Sequence, residues 1–319
     1  MPVNVLTTLA ELEAAVPQWD ALWRRSPDAT PFQSPHWLLP WWRAFGSDSP
    51  HVITSSSSDG FDALAPLYII RDEDSGESLG MFLGTGVSDY LDVVGDAAAV
   101  TEAITSADCM MWDLQQLRPT SGVLSMPLAD GWSDNVEDQE PCPVLSLKPF
   151  DELLSTRARK KLRYYRRCAE REGAVSYETP TPDTLDTLLE SLFELHAARW
   201  KKRGLPGVLA DETTRQFHRE VARRMLDAGA LRMYAMRIGD RIRAIFYGFA
   251  AHGTVYYYLG GYDPELEKIS IGTTIVAHAI EEAVRDGATT FDFLRGAEEY
   301  KYAWGATDRM NRRRQLFPR

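Results

Sequence analysis

The stretch from Leu231 to Gly261 constrains this chain more than any other. LRMYAMRI, RIRAIFYGFA and TVYYYLGG are rich in β-branched and aromatic residues and follow one another across short turns, with Gly-Asp joining the first pair. They predict three antiparallel strands. A loop, YDPELEKIS, then leads into IGTTIVAHAIEEAVRD, apolar at helical spacing, and on to TTFDFLRG, apolar at strand spacing. A helix set between two strands crosses from one to its neighbour, so the sheet is mixed and the fold is α/β.

Upstream, RARKKLRYYRRCAERE predicts a basic helix ended by Gly173, followed by the strand AVSYET. The next helix is expected to be capped by Thr181, to begin at Pro182 and to stop at Gly204, and another spans Glu212 to Ala228. The first part of the chain opens with a strand, Val3 to Leu6, and the helix ELEAAVPQWDALWRR. Ser34 then caps a helix beginning at Pro35 and ending at Gly46. HVITSSS, ALAPLYII, SLGMFLG, SDYLDVVG and CMMWDLQQL are strand-like, AAAVTEAI is helical, and PVLSLKPFDELLS forms the exit from this part.

YYYLGGYDP, a helix and FDFL are echoed by MFLGTGVSDY, a helix and MWDLQQL. Leu259 to Asp292 spans 33 positions and Leu83 to Asp113 spans 30, a similar period that predicts two copies of one domain. The expected division is residues 1–150 and 151–319.

Charge divides the same way. The whole chain carries −11, but residues 1–150 hold 22 acidic and 6 basic residues (−16), and residues 151–319 hold 24 acidic and 29 basic (+5). A positive second part suits an anionic ligand, and an acidic first part argues against wrapping nucleic acid. Cys109, Cys142 and Cys168 have no CxxC spacing, so neither a disulfide framework nor a structural zinc site is indicated. MPVNVLTTLAELEAAV lacks the pattern of a signal peptide, and no apolar run approaches the ~18 residues that span a bilayer. The expectation is a soluble, cytoplasmic protein with no membrane insertion.

Taken together, PFQSPHWLLPWW, RKKLRYYRR, LFELHAARWKKRG, YYLGGYDPE and FDFLRGAEEYKYAWGA resemble the GNAT acyltransferase superfamily. The resemblance is to its tandem-domain branch of CelD/BcsL-type acetyltransferases and Fem-type aminoacyltransferases, and it runs from about Pro31 to Ala306. It implies two tandem GNAT-like domains, each a mixed, mainly antiparallel sheet flanked by helices. The acyl donor would lie in a cleft of the second domain and the acceptor at the junction. The donor is an acyl-coenzyme A in ordinary members and aminoacyl-tRNA in Fem-type ones.

The family cradles pyrophosphate in a loop of pattern Arg/Gln-x-x-Gly-x-Gly/Ala at a helix start, where unpaired N–H groups and the helix dipole attract anions. The corresponding residues here are Lys268, Ile269, Ser270, Ile271, Gly272 and Thr273, with a single glycine. Lys268, Ser270, Gly272, Thr273 and Thr274 are the implied donor-binding residues. An ordinary capped helix is the competing explanation.

Acyl transfer needs a base, donors for the oxyanion and a proton for the leaving thiolate. By analogy the oxyanion meets backbone N–H groups of Tyr256 to Gly261, facing Thr290 to Leu294. Asp263 and Glu298 are then the carboxylates nearest the cleft, with Tyr262 or Tyr300 as proton donor. Asp263 is also good turn chemistry in YDPE, and Glu298 reads equally as a solvated charge. Asp292 faces away from Phe291 and Phe293 and needs a partner, which Arg295 or Lys301 can supply, so these organise the site or form a structural ion pair. His196, Arg199 and Trp200 share one face of their helix; His196 is a candidate base or a core residue, and Arg199 a grip for a carboxylate or phosphate. Asp89 and Tyr90 match positions that would line the acceptor junction.

The reading is an acyltransferase moving an acetyl or related acyl group from acyl-CoA, without a metal, to an amine or hydroxyl of a small molecule, amino sugar or cell-surface glycan precursor. The alternatives are a Fem-type aminoacyltransferase, the one case that brings in a nucleic acid, and a non-catalytic GNAT-like binding module.

Overall fold

The computed structural model describes residues 2–47, 49–72 and 74–319. The chain forms two compact units: one runs up to Cys142 and takes back Arg309–Arg319, and the other is Pro143–Asp308.

In the first unit, β1 (Val3–Leu6) leads to α1 (Leu9–Arg25) and α2 (Pro35–Phe45), then to β2 (Pro50–Ser57), β3 (Gly60–Arg71) and β4 (Ser78–Phe82). β5 (Val94–Gly95), α3 (Thr101–Ser106), β6 (Met111–Leu117), α4 (Gly122–Ser125) and the start of β7 (Trp132–Ser146) complete it. The strand order is β1-β2-β3-β4-β6, with the last strand of the chain, β13 (Thr307–Pro318), between β6 and β7. β4 and β6 are parallel, joined through α3, while β1–β2, β2–β3, β3–β4 and β6–β13 are antiparallel. Leu67, Phe82, Val100, Trp112, Leu114 and Leu316 form its core. Helix α2 starts and stops where expected, but the Ser34 hydroxyl donates to the Pro31 carbonyl at 2.7 Å and does not cap the helix. SDYLDVVG is mostly loop, with only Val94–Gly95 as strand.

The second unit contains α5 (Phe150–Leu153), α6 (Thr156–Glu172), β8 (Val175–Glu178), α7 (Leu185–Lys202), α8 (Glu212–Asp227), β9 (Leu231–Ile238), β10 (Arg241–Ala251) and β11 (Thr254–Tyr262). A 3-10 turn, Pro264–Ile269, precedes α9 (Ile271–Arg285), β12 (Thr290–Asp292) and α10 (Glu299–Tyr302). The order β12-β11-β10-β9-β8 is antiparallel except at β11–β12, which is parallel and bridged by α9. The predicted crossover is therefore present, and the same β-α-β crossover occurs in the first unit as β4-α3-β6. Both ladders end on the aspartates that set the repeat: Met81 opposite Asp113 and Tyr256 opposite Asp292. Phe246, Val255, Ile275, Ile280, Phe291 and Phe293 lie in the core between this sheet and α9.

Helix α7 starts three residues later than Pro182, because the Thr181 N–H bonds the Thr184 hydroxyl at 2.9 Å and holds a turn first. β12 is only three residues long: Leu294 takes a left-handed φ of 58° and turns the chain out of the sheet.

The charge asymmetry also changes meaning. Five arginines of residues 151–319 lie in the last eleven residues, which belong to the first unit. Arg313 grips Asp113 through two hydrogen bonds at 2.5 and 3.0 Å and Glu137 at 2.9 Å, Arg314 meets Asp134 at 2.8 Å, and Arg312 meets Asp138 at 3.1 Å. Much of the apparent positive surplus neutralises acidic strands and is not offered to a ligand.

Candidate functional site

The site begins with an irregularity in β11. Tyr247 faces Leu259 while Gly248 faces Tyr257, so Tyr258 is an extra residue that bends the strand. Gly248 permits it, since a Cβ there would stand 2.2 Å from the Tyr256 carbonyl oxygen. Two residues earlier the parallel ladder ends at Tyr256 and Asp292, so β11 runs on to Tyr262 with its β12-facing edge past the end of that ladder. Backbone groups along such an edge are open to an extended ligand.

Gly261 fixes what stands opposite. Its missing side chain lets α7 lie against the strand: a Cβ would come 2.8 Å from the Leu195 Cβ and 2.9 Å from the His196 nitrogen. The last turn of α7 therefore carries Arg199 over β11, where its guanidinium stacks 4.8 Å from the Tyr262 ring centre. The buried Arg199 Nε has no hydrogen-bond partner among the described residues.

Between these elements lies a cavity of about 580 Å³, lined from α6 by Ala158, Lys161, Leu162 and Tyr165, from α7 and its cap by Arg199 and Arg203, and from β11 by Tyr257, Gly260, Gly261 and Tyr262. Ser270, Ile271, Gly272 and Thr273 close one end, with Glu299, Tyr300 and Trp304 at another. At the α9 end Ser270 is left-handed (φ 55°), and the first helical bond runs from Thr274 N–H to the Ser270 carbonyl. The N–H groups of Ile271, Gly272 and Thr273 precede that bond and so have no partner within the helix. A side chain at residue 272 would crowd the Tyr262 ring at 3.1 Å, so glycine keeps this end open. The Ser270 hydroxyl and the Lys161 ammonium pull the Tyr165 phenol below its ordinary pKa. Positive potential thus gathers at the helix start. Toward β12, burial pushes the Tyr257 phenol up to about 12, and partial burial with Tyr257 nearby raises that of Tyr300, 40% of which stays exposed, so both stay protonated donors.

Of the residues singled out in the sequence, Arg199, Tyr262, Ser270, Gly272, Thr273 and Tyr300 line this one cavity. The others stand elsewhere. His196 is 3% exposed; its Nε2 accepts the Trp200 indole N–H at 2.8 Å, and burial with Arg199 close by lowers its pKa to about 4. Asp263 pairs with Arg243 and accepts the Glu265 N–H at 2.9 Å, the turn chemistry its sequence suggested. Asp292 is fully buried and accepts the Leu294 N–H at 2.8 Å, which holds the turn out of β12. Lys301, 3% exposed, donates to the carbonyls of Leu294, Arg295 and Gly296 at 3.1, 2.7 and 3.0 Å and pairs with Glu298 at 2.9 Å. Thr274 is buried with its hydroxyl on the Ser270 carbonyl, and Lys268 is exposed on the 3-10 turn. In the first unit, the carbonyl of Asp89 receives Asn311 and that of Tyr90 receives Gln33, at 2.9 and 3.1 Å, and the Tyr90 side chain is fully buried.

Lys161, Tyr165, Arg203, Tyr257 and Glu299 line the cavity without having been singled out as site residues. Tyr257 is hidden by the YYY run, where the bulge breaks the alternation that sorts faces. The Tyr164-Tyr165 pair inside the basic helix was the available signal for α6.

A family profile described as "Acetyltransferase (GNAT) domain" matches residues 156–302, a span that contains the whole cavity lining except Leu154, Ala303 and Trp304. Over residues 156–302 the chain is thus similar to the GNAT acyltransferases. No curated protein matches the chain. Among solved structures the chain is similar to FemX, at 13% identity over 98% of this chain and 97% of that one, TM-score 0.70. It is also similar to a conserved protein of unknown function from Bacteroides thetaiotaomicron (13% identity, 99% and 99%, TM-score 0.62). A third is the C-terminal domain of a putative lysylphosphatidylglycerol synthetase from Agrobacterium fabrum (14%, 97% and 92%, TM-score 0.59). At these identities the likeness is one of fold, and it runs over both units.

Proposed function

We propose that the chain is an acyltransferase that takes an acetyl or related acyl group from an acyl-CoA and passes it to an amine or hydroxyl, the acceptor being an amino sugar or cell-surface glycan precursor. The observation that carries this is the cavity's two-ended character. At one end the N–H groups of Ile271, Gly272 and Thr273 lie beside Lys161, a donor set suited to a pyrophosphate. Beyond it β11 runs past the end of its ladder with β12, where an extended thioester arm can bond backbone groups and a β11 N–H can meet the oxyanion. The neutral phenols of Tyr257 and Tyr300 are placed to donate to the leaving thiolate, and Glu299, the cavity carboxylate without an ion pair among the described residues, to take the proton of the nucleophile. The donor site is assigned to the second GNAT-like domain and the acceptor side to the first, where the fully buried Tyr90 can support the acceptor surface beside Asp89 without touching the acceptor.

Titration calorimetry with acetyl-CoA tests this reading. Binding is expected, and Gly272→Leu, which drives a side chain into Tyr262 and the helix start, should weaken it about tenfold or more. No heat at millimolar acetyl-CoA, with retention of aminoacyl-tRNA on a filter in its place, would move the donor to the Fem type.

A further inference from the structure

We propose that the mouth of this cavity docks on an anionic lipid bilayer, with the outer face of α6 on the headgroups and the turn after α7 inserting Leu205 and Val208. Helix α6 carries eight cations against Glu170 and Glu172. Arg166 pairs with Glu281 at 2.6 Å and Lys161 lies over the Tyr165 ring. Arg157, Arg159, Lys160, Arg163, Arg167 and Arg171 have no carboxylate partner among the described residues, although arginines on α8 and β9 are paired. The inner face of α6 is already spent on the core through Leu162, Cys168 and Ala169, so the helix meets a partner only through its cations and Tyr164, which is 57% exposed.

Arg203 and Lys161 line the same cavity, so the turn after α7 and the start of α6 flank one mouth. That turn reads KKRGLPGV. Leu205 N–H bonds the Trp200 carbonyl at 3.0 Å and Gly207 packs against Trp200 and His196, which leaves Leu205 and Val208 53% and 61% exposed. Two aliphatic side chains held outward among cations find no counterpart in a nucleic acid, which offers phosphates and flat bases. A bilayer takes both groups at once, anionic headgroups for the cations and the acyl boundary for the aliphatics. The chain as a whole is at −11, so the attraction has to be local to this face. The inference stands whether or not the donor is acyl-CoA, and it places the acceptor in or near the membrane plane.

Co-sedimentation of the full chain with vesicles tests it, using phosphatidylcholine alone and an equal mixture with phosphatidylglycerol, at low and at high salt. Binding is expected to the mixed vesicles at low salt, to fall at high salt and to be absent on phosphatidylcholine. Arg163→Glu with Arg167→Glu should lower partitioning about tenfold or more, and Leu205→Ser with Val208→Ser about threefold, both variants keeping the wild-type circular dichroism. Equal sedimentation with both vesicles, no response to either double variant, or retention of bulk tRNA with vesicles left unbound would overturn it. Acetyl-CoA calorimetry on the same preparations reports on the donor separately.

Discussion

His196 illustrates how a residue that reads in sequence as either a base or a core residue is decided by packing. Its ring is pinned by the Trp200 indole, and burial lowers its pKa to about 4 from an ordinary 6.5. The folded state therefore binds fewer protons than the unfolded chain between these values. The stability contributed by keeping the ring neutral is full above about pH 6.5 and is lost as pH falls toward 4. Urea denaturation at pH 7 and pH 5 should show His196→Gln losing roughly 1–2 kcal/mol less than wild type between the two; equal losses would mean that the ring does not resist protonation. Lys301 is the second residue whose role follows from burial. Its ammonium ties three successive carbonyls of the turn after β12. Lys301→Met leaves them unsatisfied and should cost about 2–3 kcal/mol in chemical denaturation. The sequence marked both residues as unusual through their place among apolar or aromatic neighbours. Whether each points into a cavity or into a turn depends on partners brought in from other elements.

At the scale of elements, legibility followed periodicity. The three strands β9 to β11, the crossover α9 and the capped helices stood out because their apolar residues repeat at one spacing and their ends carry Gly or Pro. β13 did not, because Arg312, Arg313 and Arg314 in a row break the apolar alternation that marks a strand. In the structure Asn311, fully buried, bonds the Asp89 carbonyl, and Arg314, 4% exposed, bonds the carbonyls of Val123 and Met126. Each polar residue is thus consumed by a partner distant in sequence. The acidic half of β7, whose charges these arginines meet, was missed for the same reason. A chain ending at Asp308 removes the strand between β6 and β7. The first unit should then lose cooperative unfolding, with hydrogen exchange in β6 accelerated by orders of magnitude and β9–β10 little changed. Unaltered β6 protection would refute a structural role for the tail.

For the molecule as a whole, the account rests on one topology used twice: a parallel pair closed by a helix in each unit, with the ladder ending on an aspartate. The 30- and 33-residue spacing carried that information, and the two parallel ladders end at its aspartates. The cavity itself was only half legible. Gly272, Ser270, Thr273, Tyr262, Tyr300 and Arg199 could be read from local sequence, whereas Lys161, Tyr165, Tyr257 and Glu299 enter it through a bulge and through packing of α6 and α10. The central claim is that an acyl donor lies from the start of α9 along the freed edge of β11. Residue-resolved hydrogen–deuterium exchange with and without acetyl-CoA tests this most directly. Added protection at the N–H groups of Ile271, Gly272 and Thr273 and along Tyr257–Tyr262 is the predicted result; saturating ligand that leaves both segments unchanged would contradict it.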